Sequence, residues 1–374
     1  MHLAYDAKRL FCNHAGLGNY SRNLVGAVRK ACSECSIALF TPRIPKSPEV
    51  VPFLGEEFET IAPRKWPKPL HAVWRSTYPG IVAAKLGCEI YHGLSSELPL
   101  LLHAGLKSVV TIHDLIFMKH PDYYPPTDRW IYQMKTLHAT KKADRIVCIS
   151  QSTANDLLDC FDVDQEKIRI IPPPVDIRYF ETGDATDLIA FLQEKQINKP
   201  YILCVGTIEP RKDQGTVIEA FLRSGLHQSH ELILAGKMTP YARKNLPGKL
   251  DDATDGGIRI VENLSNDEIR WLTRGAQLSI YASRYEGFGM PIAESLAAGT
   301  PVLAANSSSL PEAGGDGAVY FEPGNVEELA QLLQKTLTDR DELTAMAQRG
   351  KKYAQAFHPE VIAKKHLDLY KELI

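Results

Sequence analysis

A chain of 374 residues is long enough for two domains, each with its own core, and 44% apolar with 24% charged residues is ordinary for a globular protein. The formal net charge of −2 gives no reason to expect a nucleic-acid partner, although the balance is uneven. Residues 1–175 hold 21 Lys/Arg against 17 Asp/Glu, and the remainder 22 against 28, which leaves a mildly basic first half.

The N-terminal stretch MHLAYDAKRL lacks the apolar segment of a signal peptide, and no apolar run reaches membrane-spanning length, so the expected location is cytoplasmic. Seven scattered cysteines point to a reducing compartment. Cys148 and Cys204 lie in apolar runs and read as core thiols, while Cys32 and Cys35 form a C-x-x-C pair with no second pair at zinc-like spacing.

The first glycine loop is CNHAGLGNYSRNL, which leads into a helix from about Asn19. Gly16 and Gly18 would let backbone amides approach an anionic ligand, with the helix N-terminus behind them. The third glycine and the ribose-binding acid of a dinucleotide fingerprint are missing, which argues against an NAD-dependent oxidoreductase. Short Val/Ile-rich runs then recur between amphipathic helices: SIALF, EIYHG, SVVTIHD, RIVCIS and IRIIP. Such runs mark parallel strands with helical crossovers. Residues 61–80 combine Arg64, Lys65, Lys68 and Arg75 with Trp66 and Trp74, a mixture suited to an anionic membrane surface. His113 and Asp114 end a buried strand, where a histidine could donate to a reacting oxygen or simply be a satisfied core residue. Asp162-x-Asp164 has the D-x-D form of a metal site but falls in a polar turn and reads as a surface loop.

The run IIPPPVD closes the first series of strands, and a division near residue 178 is expected. A second series follows: YILCVG, ELILAG, IRIVE, LSIYAS, PVLAAN and AVYFEP. The fold class is therefore α/β, with two Rossmann-like doubly wound domains facing a central cleft. The N-terminal domain spans 1–178, the second 179–355, and the helix in 356–374 packs back on the first. Ligands of such sheets gather at the carboxyl ends of strands. There the second half offers Gly206 followed by Arg211 and Lys212, two adjacent cations suited to a diphosphate. It also offers SRYEGFGMPIAES, where Glu286 precedes Gly287, Phe288 and Gly289. Pro291 suits the first helical position, which would put Glu294 in the first turn. Carboxylates beside a diphosphate would repel it, so these acids should take ribose and hexose hydroxyls. The amides of Ser309 and Leu310, opening another helical turn, could face an anion. Cations for phosphates and acids for hydroxyls describe a nucleotide-sugar site.

With these motifs the chain resembles the retaining glycosyltransferases of family four, which have the two-domain GT-B architecture. EGFGMPIAE matches the family's E-x7-E motif through Glu286 and Glu294, GTIEPRK its phosphate-binding Gly…Arg-Lys element, and AGLGNYSRNL its glycine loop. The run IIPPPVD departs from the Asn-Gly turn that the family often has before Val-Asp. The resemblance implies that Glu294 binds the nucleotide ribose and Glu286 contacts the donor sugar. It also implies that Arg211 and Lys212 neutralise the leaving diphosphate and that His113 lies near the donor sugar. It implies transfer of a hexose with retention and without metal or cofactor, by front-face attack, with a covalent intermediate on Glu286 as the lesser alternative. GTIEPRKD is most similar to the mannosyltransferase branch, so the expected donor is GDP-mannose and the acceptor a saccharide or lipid-linked glycan of cell-surface polysaccharide. A UDP-sugar donor, or a nucleotide-sugar epimerase on the same fold, is the alternative.

Overall fold

The computed structural model describes residues 1–63, 66–183, 185–245 and 257–374. The chain divides into two compact units: residues 1–174 with 357–374, and residues 175–356.

The first unit is built on seven parallel strands. They are β1 (His2–Asp6), β2 (Ser36–Phe40), β3 (Glu59–Ile61), β4 (Ile90–Gly93), β5 (Lys107–Ile112), β6 (Arg145–Cys148) and β7 (Ile168–Ile170). Their order in the sheet is β3-β2-β1-β4-β5-β6-β7. Alternate residues on one strand enter different cores, because side chains point to opposite faces with period two. Leu3 and Tyr5 join one apolar cluster and Ala4 the other; Ile37 and Leu39 oppose Ala38 and Phe40 in the same way. Burial on both faces is why these strands read as apolar runs without polar alternation.

The C-terminal helix Pro359–Lys371 packs in this unit against the helix Gly16–Ala31. Tyr370 hydrogen-bonds His92 Nδ1 (2.7 Å) and the Tyr5 hydroxyl (3.1 Å), and His92 Nε2 meets Thr111 Oγ1 at 2.8 Å. Every member of this buried chain has a partner, as burial of polar groups requires.

The second unit has six parallel strands. They are β8 (Tyr201–Val205), β9 (Glu231–Ala235), β10 (Ile258–Val261), β11 (Leu278–Tyr281), β12 (Val302–Ala305) and β13 (Ala318–Phe321), in the order β10-β9-β8-β11-β12-β13. In each sheet the order reverses once, between β1 and β4 and between β8 and β11. A reversal sends the crossover helices to opposite faces and leaves a crevice at the carboxyl ends of the two strands.

Two readings of the first half need correction. Of residues 61–80, Arg64 and Lys65 lie outside the described residues, and Trp74 and Arg75 are buried rather than presented at a surface. Trp74 packs on Phe40, and Arg75 is held between Asp6 and Glu97. The helix His71–Thr77 thus turns those two side chains inward, and Trp66, half-buried against Tyr78, remains with the exposed Lys68. Cys32 and Cys35 are joined by a disulfide after the helix Gly16–Ala31, and the other five cysteines are free. Burial pushes the Cys148 and Cys204 thiols up to about 12, as inert core thiols require.

Candidate active site

After β8, Gly206 (φ 143°) takes the chain out of the sheet, and Pro210–Lys212 forms one tight turn. Asp213, left-handed at φ 49°, then opens the helix Gln214–Arg223. Arg211 and Lys212 stand ahead of that helix, where the positive end of the dipole disfavours cations unless an anion is near. The anion is supplied by the chain. Arg211 Nη1 pairs with Glu286 Oε2 at 2.7 Å, and Lys212 Nζ pairs with Glu286 Oε1. Glu209 takes Arg211 Nη2 at 2.7 Å, and Nη1 also donates to the Tyr285 carbonyl. Burial works to raise the Glu286 carboxyl, but Lys212 and then Arg211 outweigh it and hold the group below the usual carboxylate range. The expected separation of acid from cations therefore fails at Glu286: its carboxylate lies directly on both.

The loop carrying Glu286 is fixed by serines after β12. The Glu286 amide donates to Ser308 Oγ (2.9 Å), Ser309 Oγ donates to the Glu286 carbonyl (2.9 Å), and Ser307 Oγ to the Ser283 carbonyl (2.6 Å). The run Ser307–Ser309 thus clamps the Glu286 loop, and the Leu310 amide is spent on the Ser307 carbonyl at 3.0 Å. An anion site on the Leu310 amide is excluded on that ground. Beyond Glu286 come Gly287, the buried Phe288, and Gly289 at φ 111°. A Cβ at Gly289 would come within 2.9 Å of Leu310 Cδ2, so both conformation and space demand glycine.

The following helix is Met290–Ala298, with Pro291 at its second position and Glu294 in its second turn, one step later than the sequence suggested. Glu294 is thus not a first-turn carboxylate answering the helix dipole. It is half-buried and has no ion pair among the described residues. Burial, followed by the nearby charge of Asp176, pushes its carboxyl up to about 7. Asp176 shows the opposite outcome: burial is overcome by Arg178, whose Nη2 lies 2.6 Å from Asp176 Oδ2, and the acid is held low. Two acids of one unit are thereby split in their titration by a single guanidinium.

In the first unit, His113 follows β5 and is buried, edge-on to Tyr20 at 4.6 Å. Its Nε2 lies 2.8 Å from the Leu94 carbonyl, which can only accept, so Nε2 carries the hydrogen and Nδ1 is an acceptor. Burial pushes the ring down to about 4, so it is neutral at pH 7. Donation from His113 to a reacting oxygen is excluded by that tautomer. The glycine loop also differs from expectation. The helix begins at Gly16 rather than Asn19, and the Gly18 amide bonds the Ala15 carbonyl at 2.8 Å. A Cβ at Gly18 would meet the Asn13 carbonyl at 1.8 Å, so the fold itself requires glycine here. Gly16, first in the helix, has open space on its Cβ side.

Asp164 Oδ1 accepts from the Glu166 amide at 2.9 Å and caps a short turn. Among the described residues no cluster of His, Cys, Asp or Glu could hold a metal ion, and no helix is long and apolar enough to cross a membrane.

Residues 14–179 match the model of Glycosyltransferase Family 4, and residues 187–353 that of Glycosyl transferases group 1. The chain belongs to glycosyltransferase family 4. It is a glycosyltransferase. Among its relatives is the O-antigen chain mannosyltransferase B of Escherichia coli, 29% identical over 76% of this chain and 74% of that protein. Another is the serotype-specific mannosyltransferase WbdA of Escherichia coli, 28% identical over 62% of this chain but only 29% of WbdA. These relatives belong to the family's mannosyltransferase branch. The fold is that of Anabaena Alr3699/HepE, solved in complex with UDP and glucose: a TM-score of 0.74 over 100% of both chains at 15% identity. The glycosyltransferase's two Rossmann-like units therefore have the GT-B architecture.

Sequence reasoning missed Glu209, Asp6, Glu97 and Asp176, and it named Arg75 for a membrane-facing surface instead. Asp6 ends β1, a strand whose five residues at the chain terminus have no preceding turn to announce it. Glu209 stands two residues before Arg211, a spacing at which an acid in a tight turn could have been recognised. The other three are brought in by tertiary packing and carry no local signal.

Proposed function

We propose that this glycosyltransferase moves a mannosyl group from GDP-mannose, with retention and without a metal, onto a saccharide or lipid-linked acceptor in cell-surface polysaccharide synthesis. The observation that carries the reading is the contact of Arg211 and Lys212 with Glu286 at the β8/β11 reversal, in a chain that has mannosyltransferases among its relatives. Within it, the diphosphate takes the two cations and releases Glu286 to the hydroxyls of the donor sugar. Glu294 accepts from the ribose hydroxyls, and His113 Nδ1 accepts from a sugar hydroxyl. The acceptor hydroxyl oxygen bonds to the anomeric carbon on the face from which the phosphate oxygen leaves. The departing diphosphate keeps the electron pair and takes the acceptor's proton. Lys212 and Arg211 stabilise the charge that develops there, a contribution that depends on their being oriented in advance.

The test is a thermal-shift and product screen with GDP-mannose, UDP-glucose, UDP-N-acetylglucosamine, UDP-galactose and NADH in the presence of EDTA. Stabilisation by GDP-mannose with slow release of GDP is the expected result. A UDP-sugar acting in its place would move the donor assignment, and loss of turnover in EDTA restored by Mn²⁺ would end the metal-free mechanism.

A further inference from the structure

The loop after β8 and the loop after β11 meet at Glu286, the acid that a diphosphate would displace from Arg211 and Lys212. Whatever holds the two loops in register during that exchange must bypass Glu286. The first part of the β8 loop is tied to the loop after β9: the Ile208 amide donates to the Lys237 carbonyl at 2.9 Å, and Thr239 Oγ1 donates to the Ile208 carbonyl at 2.6 Å. Its last part, Arg211 to Asp213, is joined to the loop after β11.

Arg211 Nη1 donates to the Tyr285 carbonyl, but through the guanidinium that a phosphate would take. Two other bonds use no group the ligand needs. The Arg284 amide donates to the Arg211 carbonyl at 2.8 Å, and Arg284 Nε donates to Asp213 Oδ2 at 3.0 Å. Asp213 is an unexpected residue for its place. Its left-handed backbone, φ 49° and ψ 40°, would suit glycine better. An aspartate ahead of a helix ordinarily caps it, yet the Asp213 side chain makes no cap bond to the helix Gln214–Arg223. The carboxylate, 13% exposed, is turned to Arg284 instead.

Arg284 is 58% exposed, and its Nη1 and Nη2 have no partner among the described residues. A pair with one member in solvent adds little to the stability of the whole fold, so what it fixes is local. In the free chain Glu286 holds the same turn, and the pair is redundant. With a diphosphate on the cations, Glu286 is gone and the pair remains. A contact that orders a site only when the site is occupied adds to affinity for the occupant.

We infer that Asp213 and Arg284 are positioning residues of the transfer reaction: their pair keeps the Arg211–Lys212 turn in register with the Glu286 loop while a diphosphate occupies the cations. The inference rests on the reading that a diphosphate takes those cations from Glu286, and not on which nucleotide carries it.

Calorimetry with GDP and UDP tests it, because the diphosphate is common to both and a wrong choice of donor leaves the test standing. The variants are Asp213→Asn, Arg284→Gln and the two combined. Asparagine takes the left-handed conformation as readily as aspartate, so the first variant removes the charge and keeps the turn. For whichever diphosphate the unaltered chain binds, each single variant should weaken affinity about fivefold, the most that a half-exposed pair carries. The double variant should be no weaker than either single one, as for two halves of one contact. The matching nucleoside, which has no phosphate, should keep its affinity, and the urea midpoint should hold. Unaltered diphosphate affinity in both single variants would overturn the proposal. So would equal losses of nucleoside and diphosphate with a lowered urea midpoint, which is the mark of a merely structural pair. A loss in Arg284→Gln with none in Asp213→Asn would put the guanidinium on the phosphates as a third cation and end the positioning role. Lys212→Ala separates the two ways of failing. It should weaken the diphosphate whether or not the pair matters. Unaltered affinity there would bring down the reading of the site together with the proposal, whereas a loss there beside unaltered pair variants would end the proposal alone.

Discussion

The two units place opposite charge clusters at equivalent positions. At the β1/β4 reversal one guanidinium, Arg75, is buried between two carboxylates, Asp6 and Glu97. At the β8/β11 reversal one carboxylate, Glu286, is buried between two cations, Lys212 and Arg211. A buried charge with two partners is held in place whichever sign sits at the centre, because removing the centre leaves both partners uncompensated. Function separates them by what stands at the periphery. Asp6 is 5% exposed, and Glu97, though partly exposed, is also held by Lys135, whereas among the described residues Lys212 pairs only with Glu286 and keeps two of its three donors for a ligand. The first cluster is a lock and the second an exchangeable pair.

Arg75→Met breaks the lock and should have the largest effect. Two buried carboxylates would lose their shared partner, a loss of about 3–5 kcal/mol in unfolding free energy by urea titration. A change below ~1 kcal/mol would mean that Asp6 and Glu97 relax into solvent and that the likeness of the two clusters is only topological. Next comes Lys212→Ala, which should cost little stability, since Arg211 still holds Glu286. It should lower turnover by roughly 10²–10³-fold through lost stabilisation of the leaving group. Near-normal single-turnover rates in this variant would make the second cluster a lock as well.

Most of the architecture was legible because parallel strands buried on both faces leave apolar runs that need no partner to be recognised. SIALF, SVVTIHD and the six runs after residue 200 all form strands. The strand His2–Asp6 escaped because one end is the chain terminus and the other carries Asp6, a residue placed there for Arg75. In the site, Glu286 with Arg211 and Lys212 could be named but not joined: electrostatic reasoning along the sequence treats the acid as repelling the diphosphate, and it cannot show that the acid is the counter-ion. Ser309 was legible through its amide, while the part its hydroxyl takes in holding the Glu286 carbonyl shows only in the fold. Trp74 and Arg75 looked like a surface pair for the same reason: a seven-residue helix does not announce which side turns inward.

Glu286→Gln sharpens the contrast between lock and exchange. If the carboxylate competes with phosphate for the cations, removing its charge should tighten GDP binding roughly tenfold, an advantage of about 1.4 kcal/mol. Turnover should fall in the same variant, because the sugar loses its acceptor. Weaker GDP binding would instead mean that Glu286 orients Arg211 and Lys212 for the nucleotide and never leaves them.

The smallest effect, and the one most specific to a single group, belongs to Glu294. Its carboxyl is raised to about 7 in the folded chain, so between the ordinary carboxylate range and pH 7 the folded state holds a proton that the unfolded chain has released. The contribution of Glu294 to stability is therefore greatest on the acid side and declines as pH rises through that window. Ribose hydroxyls donate best to the ionised acid, so nucleotide affinity should rise over the same window, by about fivefold for one net hydrogen bond. The two trends run in opposite directions only if the ionisation that costs the fold is the one the ligand uses. Measuring GDP affinity and urea stability from pH 5.5 to 8, and dividing each by the Glu294→Gln values, removes the titration of the nucleotide itself. Opposed slopes that vanish in the variant place the ribose on Glu294. A stability slope without an affinity slope leaves Glu294 as a buried acid raised by its surroundings and moves the ribose elsewhere.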